Sequence, residues 1–393
     1  MPVATTIRDA MTRSSWIRRM FEKGAELARV HGARNIYDFT LGNPFLEPPS
    51  GFYDGLAALA ERRSEGLHRY MPNAGFPEVR AAVAENLRKR GVFPGITGSN
   101  VVMSVGAAGG MNVTLKTILN PGDEVIVFVP YFAEYLFYIT NHNGVPVLAE
   151  TNDRFDIDVD KLAKVITPRT RAIIINTPNN PTGRVYPKAS LEALAALLAE
   201  QERKIGHAIY LIADEPYREL CYMDRPPPPP ASLHPNSFLC YSWSKSLSLP
   251  GERIGFVAIN PKIDDVQGIF DGLAFTTRTL GFVNAPAAMQ LLVTKLLDVT
   301  IDVGWYKARR DRLLAGLREA GYDVITPEGT FYIFPKTPEP DDVAFVTRAL
   351  DDRVLVVPGS GFGRPGYFRI SYAVDDNTIE GGIQALARVM RKR

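Results

Sequence analysis

The chain has 393 residues, with 45 lysines and arginines against 43 aspartates and glutamates, a formal net charge of +2. At roughly 150 residues per domain this length makes two or three domains, or one large domain with a satellite. So small a net charge argues against a polyanion as the main partner, and no nucleic-acid role is expected. The two cysteines, Cys221 and Cys240, cannot build a disulfide framework. Neither belongs to a Cys-x-x-Cys pair, and the five histidines show no ligand spacing, so no metal is expected.

The first twenty residues carry Arg8, Arg13, Arg18 and Arg19 but no continuous apolar core, unlike a secretory signal. The longest apolar runs, such as 125–133, fall short of the roughly 20 residues of a membrane span. The expectation is a cytoplasmic protein that engages no membrane. The closing Arg391-Lys392-Arg393 reads as a solvated tail.

In chain order, short β-branched runs at 101–105, 124–129, 145–149, 172–176, 209–213, 238–242 and 255–259 read as strands. Helical patterns lie between several of them. The clearest is 191–205, with Leu191, Leu194, Leu197 and Leu198 on one side. Alternation of helices with nearly all-apolar strands predicts an α/β fold. Its core is a mainly parallel seven-stranded sheet sandwiched by helices. After about Asn284 the pattern changes. Helices are predicted at 287–297 and 303–320, short strands at 322–325, 330–334, 354–357 and 367–372, and a last helix at 379–390. That is a smaller α+β domain. The expected division is 46–299 for a large cofactor-binding domain, and 1–45 with 300–393 for the small one. The run Pro226 to Pro230 reads as a stiff connector between strands.

Four motifs carry chemistry. Ser242-Trp243-Ser244-Lys245 is followed eight residues later by Arg253 and then Gly255. A lysine at the end of an apolar strand is costly to bury as an ammonium, and burial frees its amine as a nucleophile. Two hydroxyls and a guanidinium beside it suit a phosphate, although a plain surface turn uses the same residues. Ile212-Ala213-Asp214-Glu215-Pro216-Tyr217 places a carboxylate at the end of a second apolar strand. There it either caps a turn or pairs with a buried cation such as a pyridinium. Asn176 to Gly183, with two Asn-Pro or Thr-Pro steps, holds amide side chains at the carboxyl end of a third strand. Ligands gather at that edge in open α/β sheets. Finally, Gly106-Ala107-Ala108-Gly109-Gly110 joins a strand to a helix, a place where backbone N–H groups can close on a phosphate. Its spacing matches neither the dinucleotide nor the Walker pattern.

Taken together, these motifs resemble the class I/II aminotransferases, fold-type I enzymes that use pyridoxal 5'-phosphate. The likeness runs from Leu41-Gly42-Asn43-Pro44 to Phe368-Arg369-Ile370-Ser371-Tyr372. It implies that Lys245 is the Schiff-base lysine and proton shuttle, and that Asp214 faces the ring nitrogen. Asn180 and Tyr217 would hold the ring's 3'-oxygen, and Phe132 would stack on the ring. Gly106, Ala107, Ala108, Ser242, Ser244 and Arg253 would cradle the phosphate. Tyr70 would reach the phosphate of a neighbouring subunit, which implies a homodimer with shared active sites. Arg369, helped by the Gly42 backbone, would grip the substrate α-carboxylate.

The implied reaction moves an amino group from an L-amino acid to a 2-oxo acid by a ping-pong cycle. The same scaffold also serves C–S β-lyases, decarboxylases and synthases, which stay open at this point. Too little chain precedes Gly42 for the DNA-binding region of a regulator built on this domain. Specificity is less direct. Ala108 stands where some aspartate-specific relatives carry a lysine, and Arg278 is near, but one residue out of register with, an arginine that others use. Phe331 and Tyr332 are candidates to line an apolar side-chain pocket. Glutamate and 2-oxoglutarate, the usual partners in the family, point to a dicarboxylate in at least one half-reaction.

Overall fold

The computed structural model describes residues 3–13, 23–24, 26–62 and 66–391. Lys392 and Arg393 of the basic tail lie outside them, as do Arg18 and Arg19. Its centre is a seven-stranded sheet of β2 (Val101–Ser104), β3 (Glu124–Val129), β4 (Val145–Glu150), β5 (Thr170–Asn176), β6 (Tyr210–Asp214), β7 (Ser237–Ser242) and β8 (Gly255–Ile259). The spatial order is β2-β8-β7-β6-β5-β3-β4. Pairings are parallel except on the two sides of β8, which runs against both β7 and β2. The expected mainly parallel seven-stranded sheet is what forms.

The strands are apolar on both faces because both faces are covered. Met103, Phe128, Ile173, Leu211 and Leu239 enter one core cluster. Their neighbours Val102, Val127, Ile174, Ile212 and Cys240 enter another. This is the period-2 alternation of a strand, with an apolar layer on each side. Helix Lys188–Ile205 belongs to the first layer through Leu191, Leu194 and Leu198. It ends on Gly206, whose φ of 81° suits a left-handed C-cap.

A third cluster gathers Tyr306, Leu313 and Leu317 of helix Val303–Glu319 with Leu386 and Val389 of helix Asp376–Arg391. Phe39, from the N-terminal segment, joins it. The reason is local: β1 (Tyr37–Asp38) pairs in parallel with β10 (Val354–Leu355). A small sheet follows, with β12 (Phe368–Ser371) between β9 (Tyr332–Ile333) and β11 (Val357–Pro358). Residues 322–325, expected as a strand, form none. Tyr322 instead points its ring into the cluster, edge-on to Phe345 and Phe368. The expected strand at 330–334 shortens to Tyr332–Ile333, and helix 287–297 stops at Val293.

Candidate active site

Five strand ends meet at one edge of the sheet. Asn176 and Asp214 are the last residues of β5 and β6 and lie opposite each other, with Asn176 Nδ2 donating to the Asp214 carbonyl at 2.8 Å. Ser242 ends β7 and pairs with Gly255 at the start of the reversed β8, which also pairs with Ser104 at the end of β2. The reversal matters. It brings the start of a strand, with Arg253 just before it, to an edge otherwise built from strand ends.

These residues enclose a cavity of about 310 Å³. Lys245, Asp214, Asn180, Tyr217, Phe132 and Arg369 all line it. So do Gly42, Ala107, Ala108, Ser242, Ser244 and Arg253. Gly106 does not. It begins the helix Gly106–Ile118 at a φ of 67°, and a Cβ there would come 2.9 Å from Arg253 Nη2. A Cβ on Gly255 would meet the Tyr241 carbonyl at 2.3 Å and Gly106 C at 2.9 Å. The two glycines therefore let the helix start close against β8 and Arg253. Tyr70 lies apart from the cavity and is 89% exposed. Arg278 is exposed, stacks on Phe275 and also lies outside the cavity. Of the two aromatics proposed for the side-chain pocket, Tyr332 lines it. Phe331 is fully buried and does not.

Lys245 sits in a single helical turn, Trp243–Ser246, capped by the Ser242 hydroxyl, which accepts from Ser244 N at 3.2 Å. The turn is pinned from behind. Tyr241 and Ser246 hydroxyls meet at 2.7 Å, and Tyr241 donates to Glu219, itself paired with Arg90. Lys245 Nζ donates to the Gly42 carbonyl at 2.7 Å. Burial, and then the charges of Arg369 and Arg253, lower the Lys245 pKa to about 7. No carboxylate pairs with it among the described residues. Gly42 must be glycine for packing: a Cβ would fall 1.8 Å from the Tyr332 hydroxyl.

Burial raises Asp214 to about 6, against the lowering effect of a hydrogen bond from Tyr135. That bond, Tyr135 hydroxyl to Asp214 Oδ2, spans 2.5 Å. The other oxygen, Oδ1, is buried without a partner. Arg369, also buried, donates through Nη1 to Asn180 Oδ1 at 3.1 Å and through Nη2 to the Thr40 carbonyl at 2.7 Å. Its Nε is buried and unpartnered. The Arg369 guanidinium lies 4.5 Å from the Tyr332 ring centroid and 4.9 Å from that of Phe362. The Tyr217 and Tyr332 hydroxyls are 3.2 Å apart.

Thr40, Tyr135 and Tyr138 also line the cavity, and the sequence reading missed them. A signal existed for the tyrosines. They follow Phe132 at three-residue spacing, and Tyr135 and Tyr138 lie one turn apart on one face of helix Tyr135–Asn141. Among the described residues no group of side chains could hold a metal, and no helix is long and apolar enough to cross a membrane.

The family model "Aminotransferase class I and II" matches residues 50–386. A crystal structure of an aminotransferase from Eubacterium rectale superposes with a TM-score of 0.96 at 37% identity, over 100% of this chain and 99% of that one. The aspartate/prephenate aminotransferase of Thermus thermophilus is 33% identical over 91% of each chain. The aromatic-amino-acid aminotransferase 2 of Thermococcus litoralis is 30% identical over 100% of this chain and 99% of its own. The chain belongs to the class I and II aminotransferase family, and its fold is the α/β fold-type I architecture. It is an enzyme that transfers amino groups.

Proposed function

We propose that the cavity binds pyridoxal 5'-phosphate and moves an amino group from an L-amino acid to a 2-oxo acid through Lys245. One observation carries the reading. A carboxylate with a free buried oxygen, an amine with a depressed pKa and a buried arginine converge on one cavity. The free Oδ1 of Asp214 fits a protonated ring nitrogen, since an uncompensated buried carboxylate oxygen is costly. The Ser242 and Ser244 hydroxyls, Arg253 and the start of helix Gly106–Ile118 fit a phosphate, because the first N–H groups of a helix lack internal partners. Phe132 supplies a ring face, and Asn180 and Tyr217 donors for a ring oxygen.

When bound, the cofactor supplies a carbonyl for capture of an amine and a ring that accepts electrons from the substrate α-carbon. The chain's residues do the rest. Lys245 Nζ, neutral above about pH 7, is the nucleophile that holds the cofactor and the base that takes the α-proton. Asp214 keeps a positive charge at the ring nitrogen. Arg369 orients the substrate by its α-carboxylate while Asn180 fixes the guanidinium. Oxo acid and amino acid use the same cavity in turn, hence the ping-pong order. Residues 46–299 would hold the cofactor, with 1–45 and 300–393 as the small domain that brings Arg369. Tyr70, exposed in one chain, would complete the site of a second copy in a homodimer, and the two free thiols accord with a cytoplasmic setting.

Cofactor capture needs the neutral amine, and Lys245 titrates near 7 rather than 10.5. Capture by the cofactor-free enzyme should therefore accelerate as pH rises through about 7 and level off above it. Stopped-flow absorbance checks this, and acceleration continuing to pH 10 would contradict it.

The substrate reading has its own test. Arg369→Ala should weaken glutamate, aspartate, alanine and phenylalanine by a similar factor. A charge-assisted pair lost in a desolvated site costs roughly 2–5 kcal/mol. With 2-oxoglutarate as acceptor, Arg278→Ala should penalise acidic substrates alone if Arg278 crosses a dimer to a distal carboxylate. Values of kcat/KM for the four donors decide it. A loss confined to one class in Arg369→Ala would refute the α-carboxylate role.

A further inference from the structure

Asp214 is one of the most demanding residues in the site. It is buried at the end of β6, in a setting that disfavours its charge. Only one side chain among the described residues donates to its carboxylate, Tyr135. Tyr135 is itself buried, at the first turn of helix Tyr135–Asn141, and it lines the same cavity. Burial and the neighbouring carboxylate push its hydroxyl well above the usual tyrosine range, so it keeps its proton and acts as a donor. Its bond takes Oδ2 and leaves Oδ1 free. The edge of the same ring meets Phe132, with centroids 5.5 Å apart and planes at 80°. Two of the groups assigned to the cofactor ring are thus braced by one side chain.

We propose that Tyr135 is a positioning residue of the reaction: it holds Asp214 ionised, with Oδ1 free to pair with the protonated ring nitrogen of the cofactor. The inference rests on the assignment of Asp214 to that nitrogen. Without the hydroxyl, the carboxylate loses its one side-chain donor among the described residues, and its neutral acid becomes easier to form. A neutral acid has no charge with which to keep the ring nitrogen protonated. The electron sink weakens, although lysine, phosphate cradle and arginine are all intact.

Tyr135→Phe removes one oxygen and keeps the ring against Phe132. The experiment loads wild type, Tyr135→Phe and Asp214→Ala with cofactor carrying ¹⁵N at the ring position. The ¹⁵N chemical shift is read near neutral pH, together with the single-turnover rate with glutamate. The shift of Tyr135→Phe should move from the protonated toward the neutral value. Its rate should fall roughly 10- to 100-fold, the worth of a hydrogen bond to a charged group. Asp214→Ala should show the full neutral shift. Tyr135→His, which brings back a donor, should recover part of both signals. Tyr135→Met, similar in bulk, repeats the test should the Phe variant fail to fold. A wild-type shift in Tyr135→Phe beside a neutral one in Asp214→Ala would overturn the role of Tyr135. A wild-type shift in Asp214→Ala would instead overturn the assignment of Asp214, and with it this inference.

Discussion

Replacing Lys245 with alanine should abolish turnover while leaving the cofactor bound. On the proposed reading, the substitution removes both the nucleophile and the base. General-base catalysis alone is worth roughly 10²–10⁴-fold, and covalent capture adds to it. The side chain does not hold the site's other parts in place. Its turn is pinned by the Ser242 cap and by Tyr241, Ser246 and Glu219 behind it. Ser242, Ser244, Arg253 and the helix at Gly106 stay available for the phosphate. Borohydride treatment of the wild-type holoenzyme, followed by peptide mapping, should place the reduced cofactor on Lys245. The alanine variant should bind cofactor, show no adduct and lack single-turnover activity. An adduct on any other lysine of the wild type would sink the assignment.

Asp214→Ala should rank second in effect. The carboxylate ends β6 opposite Asn176, so the backbone there is held by the sheet and by Asn176 Nδ2. The fold should survive, and circular dichroism should match the wild type. What is lost is the carboxylate proposed to face the ring nitrogen. Removal of the α-proton should slow by several orders of magnitude, since each ~1.4 kcal/mol of lost stabilisation is tenfold. Rapid-mixing kinetics of the half-reaction with glutamate measure it. A near wild-type rate would make Asp214 a structural cap and nothing more.

Much of the fold was legible because its signals are local. The seven central strands announce themselves as short β-branched runs, and the matching of both faces to apolar layers needs no long-range information. Asp214 stands out as a polar residue at the end of an apolar run, and Lys245 and Asn180 as polar residues in the motifs just past one. The second half was harder. Residues 322–325 look like a strand, but Tyr322 is drawn edge-on to Phe345 and Phe368, a tertiary contact that no periodicity records. Tyr135 was missed for the same kind of reason. The three-residue spacing from Phe132 is a signal, but a tyrosine in an apolar helix reads as core until its bond to a residue 79 positions away gives it another meaning. Arg369 was found through the resemblance. Its bonds to Asn180 and Thr40 join segments 189 and 329 residues apart, a juxtaposition that only folding makes.

The reversed strand β8 has a consequence for the order of assembly. Strand β2 joins the sheet through β8, because among the described residues it pairs with no other strand. Ala107 and Ala108 therefore come to line one cavity with Ser242 and Ser244 once residues 255–259 slot in between β2 and β7. On a growing chain, the lysine turn and both halves of the proposed phosphate cradle come together only after β8 has been made. A cofactor that bridges the two halves would then act as a rivet across a seam whose edges are more than a hundred residues apart in the chain, tightening the sheet by the same binding that prepares the chemistry.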